Sequence, residues 1–259
     1  MHARHNVEQH LKRLRMPGML LNLDVRLEQA REGTLGHLEF LSLLVQDEIQ
    51  SREANNLRKR LRAAGFGMEK TFEGFNFRFN EDALPSSTVR DLASMHFVEQ
   101  RRNLVLAGPA GIGKTHIAKA IGHDVCRRGV DVVFRKTHSL LGELLDRTSP
   151  LHAERLLNRC LKVELLILDD FAFRTLDHKE AELLYTLAEE RGGRASTILT
   201  SNRPPQDWYA ILPDPVMGGA ILGRLVSAAV KLIVTKGRSY RREGPSEGPS
   251  LLTDPIGFE

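Results

Sequence analysis

The sequence predicts an α/β protein whose parallel five-stranded sheet is flanked by helices and preceded by a small all-α domain. From residue 103 onwards, five short apolar segments alternate with stretches of helical length. Nearly continuous apolar strands joined by helical crossovers are typical of a parallel sheet that is covered on both faces. Before residue 71, apolar residues recur at helical spacing without a strand pattern, which predicts helices there.

The composition limits the class of protein. The chain has 259 residues, with 37 Lys+Arg against 33 Asp+Glu and only 2 Cys. This length suits one large domain or a medium domain with a small companion, and the apolar content of 41% excludes wholesale disorder. Two cysteines fit a reducing compartment. The N-terminus is polar, and no apolar run approaches the roughly 20 residues that a membrane helix needs. We therefore expect a cytoplasmic protein without a membrane partner.

A helical domain is predicted over residues 1–70. Pro17 and Gly18 interrupt its first helical pattern, because proline breaks a helix and glycine permits a turn. Residues 71–102 are predicted to form a linker and the start of the core. Four phenylalanines in this linker either pin it onto the following domain or wall a base-binding pocket; they are Phe72, Phe75, Phe77 and Phe79.

An α/β domain is predicted over residues 103–242, followed by a flexible tail over residues 243–259 that is rich in Pro, Gly and Ser. Asp177 and Glu180 form a capping-box-like start for the helix before the fourth strand. The five predicted strands are residues 103–107, 130–134, 165–168, 196–200 and 231–235.

The loop after the first strand predicts a nucleotide site. Residues 108–115 match the phosphate-loop pattern G-x-x-x-x-G-K-[ST], between a predicted strand and a predicted helix. Backbone N–H groups at such a turn and at the helix N-terminus bind phosphates. Lys114 is expected to reach the β- and γ-phosphates of ATP, and the Thr115 hydroxyl to bind Mg²⁺. The predicted nucleotide-binding residues are Gly108, Pro109, Ala110, Gly111, Ile112, Gly113, Lys114, Thr115 and His116.

Two further strands end in polar residues. The third strand ends in Asp169 and Asp170, which predicts Asp169 as a Mg²⁺ ligand and Asp170 as the residue that polarises the attacking water. The fourth strand ends before Asn202. If these two strands are neighbours, Asn202 lies near the γ-phosphate and can hold the water. The order of these motifs behind the phosphate loop favours this role over a plain strand end.

Basic residues are clustered, although the net charge is only +4. Clusters without compensating acids suit a polyanion, because neutralised phosphates release condensed counterions; a solvated surface is the alternative. Arg224 begins a basic stretch near the C-terminus and can serve in trans as an arginine finger at a neighbouring subunit's nucleotide. The candidate DNA-binding residues are Lys12, Arg13, Arg15, Arg52, Arg58, Lys59, Arg60 and Arg62.

Together these motifs resemble the IstB/DnaC branch of the AAA+ ATPases, and within it the IstB-like family. The resemblance runs over residues 8–242 and implies an AAA+ ATPase domain from residue 103. The ATPase motifs are shared by many families. The Met-Pro-Gly-Met turn at residues 16–19 and the Gly-Arg-Ser-Tyr-Arg segment at residues 237–241 are more discriminating.

The resemblance also implies residue roles. It makes Asn202 sensor I and Arg224 the arginine finger, and Arg241 is a candidate second sensor, although this branch lacks a full lid domain. The family usually has Asp-Glu where this chain has two aspartates, so Asp170 is one methylene shorter and slow hydrolysis is expected. The family also has an aspartate before the finger, where this chain has Gly223.

The function implied by the resemblance is ATP- and Mg²⁺-dependent self-assembly on double-stranded DNA. The resulting homo-oligomer then recruits and stimulates a transposase of the IstA type. A DnaC-like replicative helicase loader is the alternative within the same branch, although the N-terminal helices favour the transposition helper. Two other classes remain: a nucleotide-gated adaptor without hydrolysis, and a small-molecule P-loop kinase. The kinase should show a mobile lid with several arginines, where this sequence has a sensor strand and a finger helix.

Overall fold

The computed structural model describes residues 2–33 and 35–243. Contacts divide the chain into two compact units, Met1–Arg62 and Ala63–Glu259. From residue 244 onwards, the predicted flexible tail lies outside the described residues. Within the described ranges, no helix is long and apolar enough to span a membrane.

The first unit is helical. Its helices are α1 (His2–Arg13), α2 (Pro17–Arg31) and α3 (His37–Ala64), and α3 continues two residues into the second unit. The predicted break at Pro17 is confirmed, since α2 begins there. A proline suits the first turn of a helix because no intrahelical acceptor exists for an N–H at that position. Met19, Leu23 and Leu44 form the buried core of this unit.

A buried carboxylate closes the start of α2. Glu48 of α3 accepts hydrogen bonds from the backbone N–H groups of Gly18 (2.7 Å) and Met19 (3.3 Å). Burial raises the pKa of Glu48, but the hydrogen bonds from Arg52 and from these two N–H groups outweigh it and lower the pKa overall. A Cβ on Gly18 would lie only 2.5 Å from the Asp47 carbonyl oxygen. The close approach of α2 to α3 therefore requires a residue without a side chain at Gly18.

We expect Gly18→Ala to destabilise the first unit by about 1–3 kcal/mol, because the added methyl group overlaps the α3 backbone. Hydrogen–deuterium exchange of α2 peptides in the full chain should show faster exchange in the variant. Gly36→Ala is the matched control, since a Cβ there meets no atom within 4 Å. Equal protection of α2 in the Gly18 and Gly36 variants would contradict this account.

The second unit contains a five-stranded, all-parallel sheet, as predicted. The strands are β1 (Leu104–Ala107), β2 (Val132–Lys136), β3 (Leu165–Asp169), β4 (Ser196–Ser201) and β5 (Val230–Ile233). Their order across the sheet is β2-β3-β4-β1-β5. The central strands β1, β3 and β4 are buried along their whole length, which is why β1 and most of β3 are continuous apolar runs in the sequence.

The predicted start of the second strand at residue 130 is wrong. Gly129 has a positive φ of 88°, and its N–H donates to the Cys126 carbonyl while the Val130 N–H donates to the Val125 carbonyl. This pair of bonds is a Schellman motif, which terminates the preceding helix and commonly carries an apolar residue after the glycine. Val130 therefore belongs to a helix end, and β2 begins only at Val132.

Helices cover the sheet and connect its strands. They are α4 (Ser86–Ala93), α5 (His96–Glu99), α6 (Lys114–Arg127), α7 (Thr137–Leu145), α8 (Pro150–Lys162), α9 (His178–Arg191), α10 (Pro215–Val226) and α11 (Tyr240–Glu243), with a 3₁₀ helix at Pro205–Ile211. The predicted capping box is confirmed at the start of α9, where Asp177 accepts from the Glu180 N–H and Glu180 accepts from the Asp177 N–H.

The strand order decides which loops meet. β4 lies between β1 and β3, with Leu106 opposite Thr200 and Leu168 opposite Leu199. Because all strands are parallel, the segments that leave the carboxyl ends of β1, β3 and β4 emerge at the same edge. The condition attached to Asn202, that its strand neighbours the strand ending in Asp169, is thus met. This edge is the usual place for ligands in open α/β sheets.

Candidate functional site

The phosphate loop forms a tight turn between β1 and α6. Gly108, Gly111 and Gly113 all have positive φ values, of 152°, 85° and 108°. A Cβ on Gly108 would lie 2.6 Å from the Val234 carbonyl oxygen, and one on Gly113 would lie 2.9 Å from the Phe75 ring. The glycines therefore provide both an uncommon backbone conformation and close approach. Helix α6 begins directly after them, at Lys114.

The amino group of Lys114 is held inside this turn. Its Nζ donates to the carbonyl oxygens of Gly108 (2.8 Å) and Pro109 (2.7 Å) and to Oδ1 of Asn202 (2.8 Å). Burial lowers the pKa of Lys114 to about 8, against the opposing effect of Asp169 and Asp170. A bound polyphosphate would favour the charged form of this amine and attract it strongly, since both partners would be ionised.

Thr115 and Asp169 form the candidate metal site. The Thr115 hydroxyl donates to Oδ1 of Asp169 at 2.8 Å, and the Asp169 side chain is 2% exposed. Within the described ranges, no group of three or more His, Cys, Asp or Glu residues could hold a metal ion. Mg²⁺ does not need such a cage, because it keeps several waters and takes one or two carboxylates together with substrate phosphates. The oxygen atoms present therefore fit a nucleotide-bound Mg²⁺.

Asp170 follows directly and has an unusual backbone. Its φ is 54°, and Ala172 two residues later has a φ of 60°. The Asp170 N–H donates to the Thr200 hydroxyl at 3.1 Å, and its carboxylate lies 3.4 Å from the Lys136 amino group. Residues in the left-handed region persist only where the surrounding structure fixes them, and they cluster at functional sites.

Lys114, Thr115, Asp170 and Asn202 line one cavity of about 370 Å³. Of the predicted nucleotide-binding residues, those from Ala110 to His116 line it, whereas Gly108 and Pro109 do not and instead accept hydrogen bonds from Lys114 through their carbonyl oxygens. Its other walls include two of the predicted catalytic residues, three of the four linker phenylalanines and the candidate second sensor; these are Asp170, Asn202, Phe75, Phe77, Phe79 and Arg241. The cavity is large enough for a small-molecule ligand.

The linker phenylalanines both pack and line this cavity. Phe75 meets Phe77 edge to face at 5.0 Å between ring centroids, and it meets the His116 ring at 5.2 Å. His116 also bonds the Thr71 carbonyl through Nε2 at 2.8 Å, and burial lowers its pKa. A neutral His116 ring and the aromatic faces suit a flat, uncharged base. The two interpretations of this aromatic segment are therefore compatible.

Another wall of the cavity is formed by a contact between two distant segments that no pattern in the sequence indicates. The Asn80 side chain donates to the Arg238 carbonyl and accepts from the Arg238 N–H, both at 2.9 Å. The Arg238 guanidinium lies 4.7 Å from the Phe79 ring centroid. Tyr240 meets the same ring at 5.0 Å and donates its N–H to the Gly111 carbonyl. We call this pairing of Asn80 and Phe79 with residues 238–240 the clasp.

Arg224 lies elsewhere on the second unit. It is on α10, where it pairs with Glu189 of α9 and lies 5.2 Å from the Tyr185 ring centroid. It is absent from the cavity lining of its own chain. Its assignment as an arginine finger requires a second subunit and stays a prediction.

The candidate DNA-binding residues lie on α1, on α3 and in the turn after α1. Arg52 bonds Glu48 at 2.7 Å and the Arg15 carbonyl at 3.3 Å, so part of its charge is used within the first unit. Arg58 bonds Asn55 at 2.9 Å. Exposed basic side chains remain at Lys12, Arg13, Arg15, Arg58, Lys59 and Arg62. DNA contact by this set stays a prediction.

The sheet order, the phosphate loop and the carboxylates behind it define an AAA+ P-loop ATPase fold. Three solved structures share it. The match to DnaI covers 69% of this chain and 94% of DnaI, with a TM-score of 0.56 at 22% sequence identity. It matches the DnaC helicase loader with a TM-score of 0.51 at 22% identity, over 68% of this chain and 99% of that one. The match to DnaA from Aquifex aeolicus has a TM-score of 0.53 at 18% sequence identity. It covers 68% of this chain and 53% of that one.

The chain belongs to the family described as IstB-like ATP binding protein, which matches residues 9–248. One relative, named as an ATP-binding protein in an insertion sequence of Mycobacterium tuberculosis, is 42% identical over 244 residues, covering 94% of this chain and 95% of the relative. Another, named as an ATP-binding protein of insertion sequence IS21 from Pseudomonas aeruginosa, is 35% identical over 92% and 89% of the two chains.

Proposed function

We propose that this protein is an ATP-dependent regulator of DNA transposition. It binds ATP with Mg²⁺, assembles as an oligomer on double-stranded DNA, hydrolyses ATP slowly, and recruits and stimulates a transposase. One observation carries the proposal: in a chain of this family, the phosphate loop with Thr115, together with Asp170 and Asn202, lines one cavity, and Thr115 is hydrogen-bonded to Asp169. Relatives named for insertion sequences support transposition over helicase loading.

The proposed chemistry follows from the positions of these side chains. Backbone N–H groups of the loop and the N-terminus of α6 bind the phosphates, and Lys114 exchanges its carbonyl partners for the β- and γ-phosphate oxygens. Thr115 and Asp169 hold Mg²⁺, which supplies neutralisation of phosphate charge. Asn202, which bonds Lys114 at 2.8 Å, orients the attacking water, and Asp170 accepts its proton.

Assembly completes the site in this proposal. Arg224 does not line the cavity of its own chain, but an arginine from a neighbouring subunit can stabilise charge on the transferring phosphoryl group. The ion pair with Glu189 holds the guanidinium at the surface of α10 and α9 until a nucleotide competes for it.

Arg224→Ala should reduce DNA-stimulated ATP hydrolysis by about 10³–10⁵-fold, the range for loss of an arginine finger. Mixing Arg224→Ala with Asp170→Asn should restore turnover. A subunit with the Asp170→Asn change still has Arg224, which can complete the nucleotide site of a neighbouring Arg224→Ala subunit, where Asp170 is intact. Phosphate release by each variant alone and by the mixture checks this. Wild-type turnover by Arg224→Ala, or a mixture no faster than its components, would rule out the finger role.

The proposed function as a whole is tested by combining phosphate release with electron microscopy of the full chain on duplex DNA, with and without ATP. The expected result is an ATP-dependent assembly that hydrolyses ATP slowly. Assembly without any hydrolysis would identify a nucleotide-gated adaptor instead. No assembly in either condition, with phosphate transferred to a small molecule, would identify a kinase.

A further inference from the structure

Thr200 bonds both acidic residues of the candidate site through one hydroxyl group. Thr200 lies on β4 and is 1% exposed. Its Oγ1 donates to Oδ1 of Asp169 and accepts from the backbone N–H of Asp170 at 3.1 Å. A threonine hydroxyl has one proton to donate and two lone pairs that can accept. Both bonds can therefore exist at the same time.

The bond to Asp169 fixes the orientation of its carboxylate. The same Oδ1 atom accepts from the Thr115 hydroxyl at 2.8 Å, so hydroxyls from α6 and β4 hold one oxygen from two sides. The last torsion of an aspartate is broad and would otherwise be free to rotate. Because Thr115 and Asp169 are the candidate Mg²⁺ ligands, Thr200 sets the direction in which the carboxylate is presented.

The bond to Asp170 helps to fix an uncommon backbone conformation. Asp170 has a φ of 54°, in a region that residues with a Cβ rarely adopt. Thr200 holds this turn twice, through its hydroxyl to the Asp170 N–H and through its carbonyl to the Phe171 N–H at 2.7 Å. Phe171 is buried against the Trp208 ring at 4.6 Å. The turn directs the Asp170 side chain into the cavity.

We propose that Thr200 is a positioning residue that couples the metal-binding carboxylate to the water-activating carboxylate. This inference rests on the proposed ATPase function. Thr200 does not line the cavity, and its hydroxyl bonds Asp169 and Asp170, so it acts through those two residues. Valine has the same shape but lacks the hydroxyl, and serine keeps the hydroxyl but lacks the methyl group. The pair Thr200→Val and Thr200→Ser therefore separates the hydrogen bonds from packing.

The experiment uses the full chain and two measurements. A fluorescent ATP analogue is titrated in EDTA and at increasing Mg²⁺ concentration, and phosphate release is followed at saturating ATP. Thr200→Val should need about 10–100-fold more Mg²⁺ for half-maximal enhancement of binding, the usual effect of losing a partner of a metal ligand. The affinity of Thr200→Val for the ATP analogue in EDTA should match that of the wild type, and its kcat for phosphate release should fall by a similar factor. Thr200→Ser should stay close to wild type in its Mg²⁺ requirement, its affinity in EDTA and its kcat.

Thr197→Val is the matched control. Thr197 is on the same strand, is 2% exposed, and its hydroxyl accepts from Nε of Arg191 at 3.1 Å. In that variant Arg191 keeps its hydrogen bonds to the carbonyl oxygens of Cys160 and Val163. The control therefore loses a buried hydroxyl from β4 without disturbing either carboxylate. It should show a reduced melting temperature with unchanged Mg²⁺ dependence.

Two results would overturn the proposal. One is wild-type Mg²⁺ dependence in Thr200→Val; the other is an equal change in Thr197→Val, which would indicate a general effect of strand stability. The failure of the proposed function looks different. If the wild-type chain binds ATP but releases no phosphate, the ATPase assignment is wrong, while the Mg²⁺ titration of nucleotide binding still decides the role of Thr200.

Discussion

Asp170→Asn should reduce ATP hydrolysis by about 10²–10⁴-fold, the usual contribution of a general base, while ATP binding and DNA-bound assembly persist. An amide cannot take up the proton of the attacking water, yet it has nearly the same size as the carboxylate. The backbone bond from the Asp170 N–H to Thr200 is unaffected by the change. Phosphate release measured beside binding of a fluorescent ATP analogue separates the two effects.

The control for this variant is Asp82→Asn, since Asp82 is an exposed carboxylate outside the cavity lining. Asp170→Glu tests the same position in the other direction. It restores the methylene that the family usually has, so turnover should rise above wild type if reach limits the present residue. Undiminished turnover in Asp170→Asn would remove Asp170 from the mechanism and leave its strained backbone without a catalytic explanation.

Lys114→Ala should weaken ATP binding by about 30-fold or more, because removing one partner of a desolvated charge pair costs about 2–5 kcal/mol. In the structure the amine already lies among the Gly108 and Pro109 carbonyls and Asn202, so binding requires only a change of partners. DNA-bound oligomers should be lost with the nucleotide. Equilibrium binding and electron microscopy on duplex DNA measure both effects.

Lys162→Ala serves as the charge-matched control, since Lys162 is exposed at the end of α8 and does not line the cavity. DNA binding that is unchanged in Lys114→Ala, with or without ATP, would show that assembly is not gated by nucleotide. The proposed switch would then be wrong even if hydrolysis itself were lost.

The parts of the site that follow from local sequence could be predicted. The phosphate loop and the acidic end of β3 are short, contiguous patterns, and each of the five strands contains a short apolar segment. The β2 start was wrong because an apolar residue after glycine, Val130, serves equally as a strand residue or as part of a helix end. Periodicity does not separate these cases; only the bonds from Gly129 and Val130 do.

The parts that depend on distant contacts could not be predicted. Thr200 looks like an ordinary strand residue, because its bonds to Asp169 and Asp170 require β3 and β4 to be neighbours in a defined register. The reciprocal bonds between Asn80 and Arg238 join positions 158 apart in the chain. Side-chain amides fit many partners, so neither residue type indicates the other.

The clasp has a consequence for how the cavity exchanges its contents. Its wall is made of segments from opposite ends of the second unit, joined by Asn80, Arg238 and the ring of Phe79. In the proposed function, ADP that leaves through this side requires those tertiary contacts to open. Such local opening is slower than free diffusion and in many enzymes sets the rate of turnover. In the proposed function, the lifetime of the ADP-bound state is then set by how often these contacts between distant chain segments open, separately from the rate of the chemical step.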